Sequence, residues 1–370
     1  MSADRTQTSA PHATTTAEPG EEYHSLVARR FSFLILSFLL LFFLLFYALS
    51  VGPIELSIQE VLSSLLGREC AEITHRVVWD IRLVRALTAI VAGISLSVAG
   101  AVMQNILRNP LGSPFTLGIS HAAAFGAAFA IIVFGAGTFT SGSKGVLVLN
   151  NPYIVTISAF FWSLSASLII FMLAKLKKAT PESMILLGVA LGSLFVAGIT
   201  AMQYFANDVQ LSAMIFWTFG DMGRASWRDL WIMSGVTLPT VIYFLRKSWD
   251  YNVMNFGDEV AKSLGVEVER TRLYGMLFAS LVTAVTISIV GIIGFVGLVV
   301  PHIVRKIIGG DERFLIPASC LFGGVLLLAS DTAARTVISP IVLPVGLLTS
   351  FMGAPLFIYL VMKKKSYWWY

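Results

Sequence analysis

An all-α, polytopic membrane protein with about ten transmembrane helices is the fold class this sequence predicts. Three observations carry the expectation. The 370 residues are 56% hydrophobic and only 13% charged, with a mean hydropathy of +0.80, which leaves too little polar surface to coat a soluble globule. Apolar runs of roughly 20 residues, enough to cross a hydrocarbon core of about 30 Å, recur along the chain without long soluble insertions. Basic residues sit at the ends of those runs, and none of the expected span interiors contains Asp, Glu, Lys or Arg.

The first 30 residues, rich in Ser, Thr, Ala and acidic groups, are expected to form a disordered tail, followed by one membrane domain over residues 31–370. Arg29 and Arg30 precede the first span, Phe31 to Val51, and no small-residue cleavage site follows it, so it reads as an uncleaved helix. The next spans are Ala86 to Leu107, Thr116 to Phe134, Ile154 to Leu173 and Ser183 to Phe205. Leu230 to Leu245, Leu273 to Val290, Ile293 to Ile308, Phe314 to Ala329 and Val342 to Met362 complete the series. An even number of spans puts both termini on one side. More than two thirds of the 26 Lys and Arg fall on that side, so the positive-inside rule makes it cytoplasmic and places the chain in the cell membrane.

Two connections are longer than turns. In the outer stretch Gly52 to Asp80, Ile58, Val61, Leu62, Leu65 and Leu66 recur at helical spacing, as in an interfacial helix. The inner stretch 246–272 contains GDEVAKSLGVEVERTR, in which Val260, Leu264 and Val266 give an apolar side to a short polar helix ending at Gly265. Such a helix projecting into the cytoplasm invites a partner.

Several classes of function are disfavoured. The basic residues form no aromatic-interleaved patch for nucleic acid. No Gly-Lys dipeptide occurs, so the chain holds no phosphate-cradling P-loop, and any ATP must be bound by another subunit. Gly291, Gly294 and Gly297 recur every third residue within an apolar run and read as close helix packing, not as a dinucleotide loop. His121 and His302 lack a second ligand at metal spacing and read as hydrogen-bonded structural groups. Cys70 and Cys320 stand in unrelated surroundings. An ion-coupled secondary carrier needs a midplane ionisable group, and an intramembrane enzyme needs a nucleophile with a base; neither constellation is visible. The aromatic end SYWWY after Lys363 to Lys365 reads as an interfacial anchor.

Five stretches, RNPLGSPFTLGIS from Arg108, GDEVAKSLGVEVERTR from Gly257, GFVGLVVPHIVRKIIGGDERFLIP from Gly294, SDTAART from Ser330 and LPVGLLTSFMGAPLFIYL from Leu343, together resemble the FecCD-type permeases of siderophore, haem and cobalamin importers. The resemblance covers nearly everything from Arg82 to Lys363. It implies a type II ABC importer permease of the cobalamin-permease kind, paired with a second copy or a homologue. Two cytoplasmic ATPase subunits would hydrolyse ATP with Mg as their cofactor, an extracytoplasmic substrate-binding protein would deliver the cargo, and the chain itself would carry no catalytic site, cofactor or metal.

Residue by residue, the resemblance makes Gly257, Asp258, Val260, Leu264, Gly265, Val266, Arg270 and Arg272 the ATPase-coupling element. It assigns docking of the binding protein to Arg82, Arg85 and Arg335, whose planar forks suit carboxylates. Asn109, Pro110 and Leu111, with Glu182 and Ser183, would narrow the cytoplasmic gate, while Met202 and Gln203 would line the pathway. The chain departs from the family pattern in reading RLVR for R-L-P-R, in Val342 where an acidic residue is usual, and in His121 and Ala122 where Ser and Gly are commoner.

Overall fold

A computed structural model describes residues 19–362 apart from 53, 55, 69, 137–138, 142–146, 150, 178–179 and 340. The chain opens with α1 (Pro19–Ser50), the short α2 (Ile58–Leu65) and α3 (Glu72–Arg76), and a π-helical stretch Val77–Leu83 that leads into α4 (Val84–Ile106). It continues through α5 (Ile119–Val133), a small antiparallel hairpin of β1 (Phe139–Ser141) and β2 (Leu147–Leu149), α6 (Pro152–Lys177), α7 (Pro181–Phe205) and α8 (Asp208–Thr218). A 3-10 turn at Met222–Arg224 precedes α9 (Trp227–Arg246), α10 (Ser248–Met254) and α11 (Asp258–Ser263). The last four helices are α12 (Val268–Val290), α13 (Val296–Ile308), α14 (Glu312–Thr336) and α15 (Val345–Met362).

Each of the ten expected spans falls on a helix, but six helices, among the described residues, are long and apolar enough to cross a membrane. Two more, Ile119–Val133 and Val345–Tyr359, are apolar and shorter. The eighth expected span is cut down because the backbone breaks over 291–295, where Gly291 (φ +83°) and Phe295 (φ +65°) adopt left-handed conformations, and α13 starts only at Val296. The tail also differs from expectation. Helix α1 begins at Pro19, so residues 19–30 are helical; residues 1–18 and the aromatic end after Lys363 lie outside the described residues.

Helix α4 is the axis of the bundle, packed by α14, α12, α13 and α9. Small residues set its distances from two of these neighbours. A Cβ on Gly93 would strike the backbone of Gly323 on α14, and one on Gly100 would strike the carbonyl of Gly297 on α13. Lipid offers no hydrophobic drive between helices, so such close approach is how they gain contact. By contrast α7 has an unpartnered apolar face, with Leu186, Val189, Leu194 and Tyr204 all exposed.

Outside the bundle, α2 starts with a capping box: the Ser57 hydroxyl accepts from the Glu60 backbone N–H, and the Glu60 carboxylate accepts from the Ser57 N–H at 2.8 Å. The Ser57 hydroxyl also donates to that carboxylate at 2.7 Å, and with the backbone N–H it holds the Glu60 carboxyl below its usual pKa. Ser57→Ala is expected to lower stability by about 1 kcal/mol, as read by thermal melting in detergent; an unchanged midpoint would show the cap to be inert.

Candidate functional site

At the end of the bundle where α1 starts, α4 runs out into the turn Asn109-Pro110-Leu111. Pro110 cannot extend the helix, and the Asn109 side chain accepts from the Leu111 N–H at 2.8 Å, closing an Asx turn. Just before it, Arg108 adopts φ +46°, a left-handed conformation unusual for a side chain of its size. Its guanidinium donates to Asp258 Oδ1 at 2.6 Å and to the Met254 carbonyl at 3.0 Å. Arg272 binds the same carboxylate at 3.1 Å and donates to the carbonyl of Ile106, one of the open carbonyls at the end of α4. Asp258, the first residue of α11, is thus held by arginines from both neighbouring segments.

Helix α11 ends in a Schellman arrangement. Gly265, at φ +84°, donates its N–H to Lys262 at 3.0 Å and Val266 donates to Ala261 at 2.9 Å. The inner face of α11 is fixed by buried Ala261, while Val260 (44% exposed) and Leu264 (66%) point outward. Phe256 (70%) stands four residues before Val260 and extends the row. Of the other expected coupling residues, Gly257 precedes α11 at φ +119°, Val266 is half-buried against the core, and Arg270 makes an exposed pair with Glu267 at 2.7 Å.

A second polar layer lies behind this one. Asn105 Nδ2 is 2.8 Å from Asn255 Oδ1 and 3.1 Å from both the Tyr251 carbonyl and the fully buried Glu312. Arg305 reaches Gln104 at 3.0 Å and Glu312 at 3.5 Å. Asn252 spans the α13–α14 turn, accepting from the Glu312 N–H and donating to Asp311, which also pairs with Arg30 of α1 at 3.2 Å. Burial alone would raise the Asp311 carboxyl, but hydrogen bonds from Arg313 and Asn252 outweigh it and hold its pKa below the usual value. Burial keeps the Tyr251 phenol well above its ordinary pKa. Segment α10–α11 is therefore bolted to α4, α12 and α14 through side chains that hydropathy alone does not single out.

Glu182 and Ser183 open α7, whose N-cap Thr180 accepts from the Ser183 N–H. The Glu182 carboxylate turns back on this helix start, hydrogen-bonded by its own backbone N–H and by the Thr180 side chain. A cavity of about 600 Å³ sits beside them between α6, α7 and α12, with Met184 and Met276 in its floor and Lys175 and Glu269 at its rim. The expected pathway residues Met202 and Gln203 are both half-buried, Met202 against the core, and Val189, Val196 and Tyr204 of the same helix are exposed.

The arginines expected to dock a binding protein are spent inside the fold at the opposite end. Arg82 (4% exposed) donates to the carbonyls of Leu49 at 2.7 Å, Ser50 at 2.8 Å and Ile54. Arg335 donates to Ala48 at 3.2 Å and Val51 at 3.3 Å, so these two side chains satisfy the last carbonyls of α1. Arg335 also lies 3.2 Å from Asp331, a carboxylate with no solvent exposure that takes both Arg85 Nε (3.0 Å) and Arg85 Nη2 (2.9 Å). Arg85 Nη2 further reaches Asp221 at 3.1 Å. All three guanidiniums therefore have partners within the fold. Asp331 went unread, although its spacing of four before Arg335 is an ion-pair signal on a helix.

Among the described residues, no group of three or more His, Cys, Asp or Glu stands ready to hold a metal ion. Residues 39–363 match the model of the FecCD transport family. A protein of Methanocaldococcus jannaschii whose name makes it an ABC transporter permease is 56% identical over 343 residues, covering 93% of this chain and 97% of its own length. The hemin transport system permease protein of Yersinia pestis is 36% identical, over 78% of this chain and 84% of that protein. A vitamin B12 import system permease protein of Vibrio vulnificus is 33% identical, over 92% and 98%. Among solved structures, a metal-chelate type ABC transporter in an inward-facing conformation superposes with a TM-score of 0.77 at 29% identity, covering 90% of this chain and 99% of its own.

Proposed function

The chain belongs to the FecCD transport family, and from that footing we propose that it is the permease of an ATP-driven importer for a bulky metal chelate of the siderophore, haem or corrinoid type. The observation that carries the reading is the exposed apolar row Phe256, Val260 and Leu264 on a short helix whose back is clamped by Arg108 and Arg272. A rigid element with an unsatisfied apolar front suits docking into a groove of a partner that moves. The partner is a cytoplasmic ATPase that binds ATP and Mg, which sets the α1-start end of the bundle in the cytoplasm with both termini. A substrate-binding protein delivers cargo at the opposite end. The free apolar face of α7 is covered by a second copy of this chain or a homologue, and the cargo moves along the seam between them. Turn 109–111 with Glu182 and Ser183 forms the gate at the inner end.

Among the described residues the buried carboxylates Glu312 and Asp331 are paired with arginines and lie near the two ends of α14, an arrangement that gives an ion-coupled carrier no free carboxylate midway along that helix. Vesicles holding the chain, its ATPase and its binding protein are expected to accumulate a labelled chelate only with ATP. Accumulation by the chain alone on a proton or sodium gradient would overturn the reading. The double change Val260→Asp with Leu264→Asp is expected to leave the melting midpoint within about 0.5 kcal/mol of the parent, since both side chains are exposed. The same variant should lose co-purification with the ATPase; retained association would remove α11 as the docking element.

A further inference from the structure

The cavity of about 600 Å³ between α6, α7 and α12 is charged at one depth and apolar at the next. Its three helices supply the candidate spans Tyr153–Leu176, Pro181–Phe205 and Val268–Val290. At 1.5 Å per residue each reaches about 35–38 Å and overruns a hydrocarbon core of about 30 Å. Lys175 stands in the last turn of the first span, and Arg270 and Arg272 in the first two turns of the third, so these cations of the cavity wall lie at the level of lipid headgroups. One helical turn deeper, Phe171 and Met276 line the same cavity, with Met184 beside them, and both methionines are buried.

The charges on the rim do not cancel. Arg272 is held by Asp258 and Arg270 by Glu267, while Lys175 makes no ion pair among the described residues. Glu269 is the one acidic residue among those that line the cavity. The way out is apolar as well. Leu168 (41% exposed) and Met172 (63%) precede Lys175 at helical spacing and carry an exposed apolar row down α6 beyond the cavity.

We propose that the cavity holds an anionic phospholipid of the leaflet at the end of the bundle where α1 starts. Its phosphate lies against Lys175 and Arg270, and an acyl chain descends past Phe171 along α6. Basic pockets between spanning helices are how membrane proteins hold acidic headgroups. A free phosphate ion would find the same cations, but only a lipid also covers the apolar floor and the row on α6, which decides between them. Seated there, the lipid fills the space between the start of α7 and the start of α12. The assignment needs only that α6, α7 and α12 span a bilayer, and it stands apart from the ATP-driven reading.

The test uses the purified chain in phosphatidylcholine nanodiscs with a minor fraction of phosphatidylglycerol that carries a photoreactive acyl chain. Peptide mapping after irradiation should find the adduct enriched on residues 168–176 of α6 or 273–276 of α12, relative to the same photoreactive chain on a choline headgroup. Lys175→Gln should lower that enrichment about fivefold, the effect of one Lys at an anionic lipid surface, and Lys175→Arg should keep it. Glu269→Gln, which lifts the opposing charge, should raise it. Because Lys175 is exposed, Lys175→Gln should melt with the parent, so a lost adduct is not a lost fold. Inorganic phosphate should not compete. Equal labelling by the two headgroups, parental enrichment with Lys175→Gln, or adducts spread evenly over the other helices would each overturn the site. Displacement of the lipid by inorganic phosphate would give the cavity to a free anion and overturn the proposal as well.

Discussion

Asp331→Asn should lower the stability of the folded protein by about 3–5 kcal/mol, the scale for breaking a buried ion pair from one side. The side chain is fully buried and is the shared partner of Arg85 and Arg335. The amide keeps the shape and one neutral acceptor but removes the charge and turns the other oxygen into a donor, leaving Arg335 no carboxylate and Arg85 only the half-exposed Asp221. Loss extends past the pair, because Arg335 also holds the end of α1. The comparison is Glu72→Gln at the exposed pair with Arg76, which is expected to change stability by no more than about 0.5 kcal/mol. Melting in detergent reads both, and an Asp331→Asn midpoint equal to that of Glu72→Gln would show that the outer network bears no load.

Gly100→Ala is the second large effect. The new methyl would overlap the carbonyl of Gly297, and backbone cannot swing aside as a side chain can. Helices α4 and α13 must part, at a cost of about 1–3 kcal/mol in overpacking and lost contact along the seam. Gly235→Ala supplies the opposite sign within one protein: it lies in the interior of α9 with nothing within 4 Å of the added carbon, so it should stabilise by about 0.5–1 kcal/mol. If Gly100→Ala melted at or above the parent, the close backbone contact would have to be abandoned.

The helices were legible because the bilayer demands a length and a composition, and every expected span landed on one. Depth of crossing was less legible. The break at 291–295 begins at Gly291, wedged against the 217–220 segment so that the Trp217 carbonyl and the Gly220 Cα lie where a methyl would go, and one chain's hydropathy cannot register that neighbour. The exposed row on α11 was readable from the spacing of four between Val260 and Leu264, although Phe256, within the same inner stretch 246–272, is not among the apolar positions that the sequence singles out. The partners of Arg82, Arg85 and Arg335 were not legible, for a tertiary reason. An arginine at the end of an apolar run faces water by default, and only the fold brings Asp331 and the end of α1 to it from 246 and 33 residues away. Which side of α7 packs was not legible either, because the helix is apolar all round and its sequence does not distinguish the packed face from the free one.

The two arginines that finish α1 have a bearing on how the polypeptide matures. The first helix leaves the ribosome and enters the bilayer long before Arg335 has been translated, so Arg82 takes the Leu49 and Ser50 carbonyls early while those of Ala48 and Val51 wait for the residue just past the ninth expected span. Nascent chains cut short before that point carry an unfinished seam in lipid. The molecule thus checks its own progress, since a piece made late completes the seal on the earliest.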